Sequence, residues 1–173
     1  LLAELPAYPT QRSFELAAQG LQHAAPEVRA AAIDMIVAVG SAQQQVSLLA
    51  PLLKDPVRAV RIAAAWSLAP LPPQARAAVS SSWQAAIGEY ESVQNSLKER
   101  AEANLNLAML YQYTGRSALV EPALRDALKR NPDFLPAVVI LVQVLEAQGR
   151  DADAQLLLDD NLARHSDAGM LQH

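Results

Sequence analysis

The chain has 173 residues, 51% of them hydrophobic and 18% charged, enough apolar material for one or two folded cores and too much for intrinsic disorder. Its 14 Lys and Arg are outnumbered by 18 Asp and Glu and are scattered, so the basic face of a nucleic-acid binder is not expected. With no cysteine, these residues hold no disulfide, no thiolate metal site and no Cys-x-x-Cys-His haem attachment. Alanine dominates, aromatics are scarce, and neither a hairpin turn nor a sustained alternating run occurs, so an all-helical chain is expected. No apolar run reaches membrane-spanning length and no signal peptide is visible, so no membrane partner is expected. The opening LLAELPAYPT lacks an initiator Met and reads as the start of a fragment or a processed product.

In chain order, SFELAAQGLQH (13–23) and PEVRAAAIDMIVAVG (26–40) predict one helical hairpin. SAQQQVSLLAPLLKD (41–55) and RAVRIAAAWSLAPL (58–71) predict a second, and Val28-Arg29 recurs as Val60-Arg61 at a shift of 32. Pro51 falls inside the third helix, removes one of its hydrogen bonds and should kink it. The set Asp55, Pro56, Val60, Arg61, Ala64 and Ala65 resembles HEAT repeats of the short bacterial variety, over about residues 10–71. The resemblance implies arginines that tie neighbouring repeats together. Arg29, Arg58 and Arg61 are read that way and not as a DNA-binding groove. Ala25 stands where the family prefers Asp, which should weaken an Asp-to-Arg ladder.

Residues 1–73 are therefore read as HEAT-like repeats and 74–100 as a bridge. Pro70, Pro72 and Pro73 form a rigid corner, and Trp83, Ile87, Tyr90 and Val93 follow helical spacing across 74–97. Trp66 is expected to fill a gap between repeats and Trp83 to seat the bridging helix.

In the second half the shift is 34: Leu107, Tyr111, Gly115, Leu124 and Leu128 recur as Leu141, Leu145, Gly149, Leu158 and Leu162. Leu107, Leu110 and Tyr111 form a stripe expected to be core. Each glycine follows a helix end, where a left-handed cap suits it. Helices are expected at 117–130 and 151–164, with Pro122 imposing a kink or a late start on the former. These positions, with Ala108, Ala127, Pro132 and Ala154, resemble the tetratricopeptide repeat, or TPR, over 101–166. Asn104 replaces the family's frequent tryptophan, Val120 its small alanine and Ser166 the closing proline of the second repeat. Counting onward, 167–173 reads as the start of a truncated next repeat.

The resemblances together imply a right-handed helical-hairpin solenoid acting as a non-enzymatic scaffold for a protein or peptide. The implied partner-binding groove is lined by Glu102, Leu105, Asn106, Met109, Gln112 and Tyr113, and by Pro136, Val139, Ile140, Gln143, Glu146 and Ala147. Asn106 matches a family position that hydrogen-bonds an extended peptide. Leu105 and Met109 stand where a carboxylate-binding TPR clamp needs Lys and Asn, so a partly apolar segment is the expected occupant. His23, His165 and His173 show no metal or triad spacing, and Asp151, Asp153, Asp159 and Asp160 read as helix-start or solvated residues. No catalytic residue, metal or cofactor is expected. The order of HEAT-like repeats, proline corner and TPRs is similar to the C-terminal region of bacterial multihaem cytochrome c proteins, which implies a periplasmic location over a cytoplasmic one and an accessory role in electron transfer. Leu156, Leu157, Leu158 and Leu162 should leave an apolar patch at the C-terminal end, through which a weak homodimer is expected.

Overall fold

The computed structural model describes residues 11–170, with side chains described from Arg12 to Arg164. The opening segment 1–10, residues 171–173 with His173, and the side chain of His165 lie outside the described residues. Among the described residues there are nine α-helices and no strand. They fall into two compact units, residues 1–92 and 93–173, each built of consecutive helical hairpins in the manner of an all-α solenoid.

The first unit holds α1 (Gln11–Gly20), α2 (Pro26–Val39), α3 (Ala42–Leu49), α4 (Arg58–Leu68) and most of α5 (Ser80–Ser96). Pro26 starts α2 at a position whose N–H would have no helical partner anyway. Ser41 and Gln44 form a capping box at the start of α3. Pro51 does more than the expected kink: α3 ends at Leu49 and the chain continues as a 3-10 turn, Ala50–Lys54. Helices α1 and α2 pack as one hairpin, α3 with its 3-10 turn packs on α4, and α2 packs on α4. Ala32, Ile33, Met35, Ile36, Leu49, Ala64, Ala65 and Leu68 form the sealed centre between them.

Two arginines stitch this unit with nearly the same geometry. Arg29 grips Asp55 through both nitrogens at 2.8 Å and donates a third hydrogen bond set to the carbonyls of His23 and Ala24. Arg61, 32 residues on, grips Glu89 at 2.9 and 2.8 Å and donates to the carbonyls of Asp55 and Pro56. Arg58 also reaches Glu89, at 3.3 Å. The ties between repeats are present. In the 32-residue register the counterpart of Asp55 is His23, not Ala25. His23 Nδ1 accepts from the N–H of Ala25 (3.1 Å) as Asp55 accepts from that of Val57 (2.8 Å), so the imidazole closes the same turn.

The bridging helix starts later than expected, at Ser80, after a 3-10 turn at Ala77–Val79. The proline corner before it is held by Arg76, a buried residue that donates to the carbonyls of Ala69 and Leu71. Its guanidinium lies 4.1 Å from the centre of the Trp83 ring. Trp83 Nε1 in turn donates to the carbonyl of Ala65 at 2.8 Å, and Trp66 stacks on Tyr90 with ring centres 4.5 Å apart. Trp83 thus seats α5 against α4 as its position predicts, and Trp66, expected to fill a gap between repeats, packs on α5 as well.

The second unit holds α6 (Ala101–Tyr113), α7 (Val120–Arg130), α8 (Leu135–Ala147) and α9 (Asp151–Met170), packed in sequence: α6 on α7, α7 on α8, α8 on α9. Leu107 and Leu110 are sealed, as the stripe predicts, while Tyr111 is half-buried beneath the guanidinium of Arg116. Ala108 and Ala127, both fully buried, permit the close approach of α6 and α7. Asn104 is buried and donates to the carbonyls of Lys98 and Arg100, closing the turn into α6.

The 34-residue recurrence is visible in hydrogen bonds. Gly115 (φ 73°) and Gly149 (φ 71°) both sit in the left-handed region. The N–H of Arg116 donates to Tyr111 and that of Gly115 to Gln112, and the same pair runs from Arg150 to Leu145 and from Gly149 to Glu146. These are two Schellman turns one repeat apart. The exposed pairs Arg130–Glu99 (2.6 Å) and Arg164–Asp133 (3.5 Å) are likewise separated by 34 at both ends. Pro122 imposes the late start: Ser117–Leu119 is a 3-10 turn and α7 begins at Val120. The last helix differs from expectation by running through to Met170 instead of stopping at 164. No proline or glycine interrupts residues 151–168, so nothing local ends it.

Candidate functional site

The residues implied to line a groove occupy one flank each of α6 and α8. Glu102, Gln112, Pro136, Val139, Gln143, Glu146 and Ala147 are exposed, and Leu105, Asn106, Met109, Tyr113 and Ile140 are half-buried. None is sealed, whereas Leu107, Leu110, Leu141 and Leu145 on the opposite flanks are. The alternation follows from helical periodicity, in which residues three and four apart share a face.

This flank mixes apolar and polar side chains in equal number and carries no cation. Helices α6 and α8 carry no Lys, Arg or His and one carboxylate each, Glu102 and Glu146. Glu102 meets Arg100 at 3.7 Å in full view of solvent, an ion pair of little energetic weight. Val139 is 52% exposed, and Leu105, Met109 and Ile140 add partly covered aliphatic surface. Asn106 is not idle: its Nδ2 donates to Gln94 Oε1 at 3.1 Å. Gln94 is buried and gave no sequence signal, because an isolated glutamine near a helix end has no motif around it. The flank can desolvate an apolar segment and offer amide hydrogen bonds from Gln112 and Gln143.

Open clefts of about 320, 520 and 470 Å³ lie along α7, and Arg125 borders all three. Leu157 lines two of them together with Arg125 and Asp160. It is half-buried, while Leu156, Leu158 and Leu162 of the apolar patch expected at this end are exposed. The charges there are paired: Arg125 and Arg150 both hold Glu121 (2.7 and 2.8 Å), Lys129 holds Asp126 and Arg164 holds Asp160. The hydrogen bond from Arg125 holds Glu121 below the usual carboxylate range, outweighing its partial burial, and Arg150 adds to it.

Among the described residues, no group of three or more His, Asp or Glu is placed to hold a metal ion. No described helix is long and apolar enough to cross a membrane. Arg29 and Arg61, the arginines that could have formed a basic groove, spend their guanidinium donors on Asp55, Glu89 and backbone carbonyls.

A family model described as HEAT repeats matches residues 3–82, which spans both hairpins of the first unit and reaches into α5. With the paired arginines and the recurring turns, this decides the class. The chain is a helical repeat protein. No curated protein and no solved structure matches it. Repeat proteins present extended surfaces built from the same helix of successive hairpins, and contact with other proteins is their common use.

Proposed function

We propose that this repeat protein is a non-enzymatic scaffold that holds an apolar peptide segment of a partner protein along the flank of α6 and α8. The observation that carries the reading is the contrast within those two helices: one flank sealed, the other free of cations and partly aliphatic, with Val139 at 52% exposure. The second half is read as two tetratricopeptide repeats over 101–166, supported by the two Schellman turns and the two ion pairs that recur at the same spacing. The first half, 1–73, is read as the HEAT-like array that carries them, with 74–100 as the connection.

The test uses peptides selected against the protein from a displayed random library. Met109→Glu and Gln143→Lys should each weaken the selected peptides by about tenfold, or 1.4 kcal/mol. The melting temperature should barely move, because neither side chain is sealed in the core. Unchanged affinity in both variants would place binding elsewhere. An equal loss of folding would show that this flank is core.

A further inference from the structure

The helices of the second unit end on different charges. Helix α7 closes on Lys129 and Arg130, cations at the end of the helix dipole that favours them. Helix α8 has no basic residue in its last turn and carries Glu146 there instead, one residue before its end at Ala147. A carboxylate at that end is repelled by the partial negative charge of the helix terminus. In the 34-residue register its counterpart on α6 is Gln112, which is neutral. The Glu146 carboxylate is exposed and has no ion pair or hydrogen bond among the described residues. Arg150, the cation nearest in sequence, is committed elsewhere, to Glu121 at 2.8 Å and Asp153 at 2.7 Å. The other described carboxylates of this unit are accounted for. Most meet an arginine or lysine at 2.6 to 3.7 Å. Asp159 accepts from Gln155, and Asp151 stands in the first turn of α9, where the dipole favours it. A local rule broken without compensation marks a position that serves something other than the fold.

We infer that Glu146 is the charged anchor of the groove, and that the segment bound there is basic as well as apolar, presenting a lysine or arginine to this carboxylate. The inference rests on the groove proposed above. Complementarity selects the charge. Helices α6 and α8 hold no Lys, Arg or His, so nothing on the flank repels an incoming cation, whereas an acidic segment would meet Glu146 with no cation to offset it. A bound cation also repairs the local fault, because it neutralises Glu146 at the end of α8 that favours positive charge. Val139, Gln143 and Glu146 follow at spacings of four and three and so share a face of α8. Val139 and Glu146 are about 10 Å apart along the helix axis. About three extended residues cover that distance. The ligand chemistry is therefore an aliphatic residue for Val139 and a lysine or arginine about three positions from it, with no aspartate or glutamate between them.

The probes are peptides selected from a displayed random library against the full chain, with a second selection against its Glu146→Lys variant. Lysine and arginine should be enriched in the first set, aspartate and glutamate in the second. The tightest peptide of the first set, made with a fluorescent label, is then titrated. Glu146→Gln should weaken it about three- to fivefold, and Glu146→Lys at least about tenfold. Asp159→Asn, which removes the same charge from α9, should leave it unchanged. Replacing the basic residue of the peptide by glutamine should cost as much as Glu146→Gln, with no further loss when the two are combined. The melting temperature of the free Glu146→Gln chain should hold or rise, since the charge removed is one the helix end disfavours. Selected peptides with no basic bias overturn the inference, as does equal weakening by Asp159→Asn. If Met109→Glu weakens the peptides and Glu146→Gln does not, the groove stands and its charged anchor falls. If neither changes the affinity, or no peptide is selected, both fall.

Discussion

Arg29 and Arg61 make the same pattern of bonds, yet their acidic partners differ in what they would leave behind. Arg29 and Asp55 are 8% and 7% exposed, so removing the carboxylate strands a buried guanidinium. Asp55→Ala should cost roughly 3–5 kcal/mol. Glu89 and Arg61 keep partial access to water, and Glu89→Ala should cost only about 1 kcal/mol. Urea unfolding of the two variants checks the order, and a larger loss for Glu89→Ala would refute the burial argument. The sequence made the arginines readable as ties because Val-Arg recurs in register. Their partners were harder to see. Aligning on the prolines Pro26 and Pro56 slips the register by two residues and points to Ala25, whereas the helix itself keeps 32 and points to His23. Glu89 lies within α5, with no turn proline to mark it as the next acidic position.

At the scale of elements, the punctuation residues carried most of the information. Gly115 and Gly149 were legible as caps because a stripe of large residues stops at each, and both adopt the left-handed conformation. No atom lies within 4 Å of a Cβ built at either, so substitution costs conformation alone. Gly115→Ala and Gly149→Ala should each lose about 1 kcal/mol, and the two losses should be equal within error if the turns are equivalent. Pro122 was legible as a delayed helix start, and it now sits in the first turn of α7, where its missing N–H breaks no bond. Pro122→Ala should therefore shift stability by less than about 1 kcal/mol, and a loss above about 2 would reveal a packing role. The end of α9 was not legible, since repeat counting supplied a boundary that no residue enforces. Four leucines within seven residues of one helix cannot share a face, and Leu157 is half-buried where Leu156, Leu158 and Leu162 are exposed.

For the whole molecule, these local ties predict how stability depends on pH. Burial pushes the Asp55 carboxyl up, but the Arg29 hydrogen bond, the Val57 N–H and the charges of Arg29 and Arg61 together hold it below 3.8. The hydrogen bond from Arg61 lowers Glu89, and that from Arg125 lowers Glu121. A carboxyl with a depressed native pKa binds its proton more readily once unfolded. Its stabilisation is therefore complete above the unfolded value, about 4, and is lost as pH falls through the native value. The alkaline side turns on Tyr90, whose burial against α4 raises its pKa to about 12. Here the native state keeps a proton that the unfolded state, with an ordinary pKa near 10, releases. Stability should be full below about pH 10 and fall toward pH 12, by up to about 1.4 kcal/mol per unit. Urea midpoints measured from pH 3 to 12 should thus be flat between about 5 and 10 and drop on both sides. Tyr90→Phe should flatten the alkaline limb and leave the acid limb in place, whereas Asp55→Asn should lower the plateau and flatten the acid limb. An alkaline limb as steep in Tyr90→Phe as in the parent would show that Tyr90 is not what holds the proton, and that the contact between α4 and α5 is looser than its stacked rings imply.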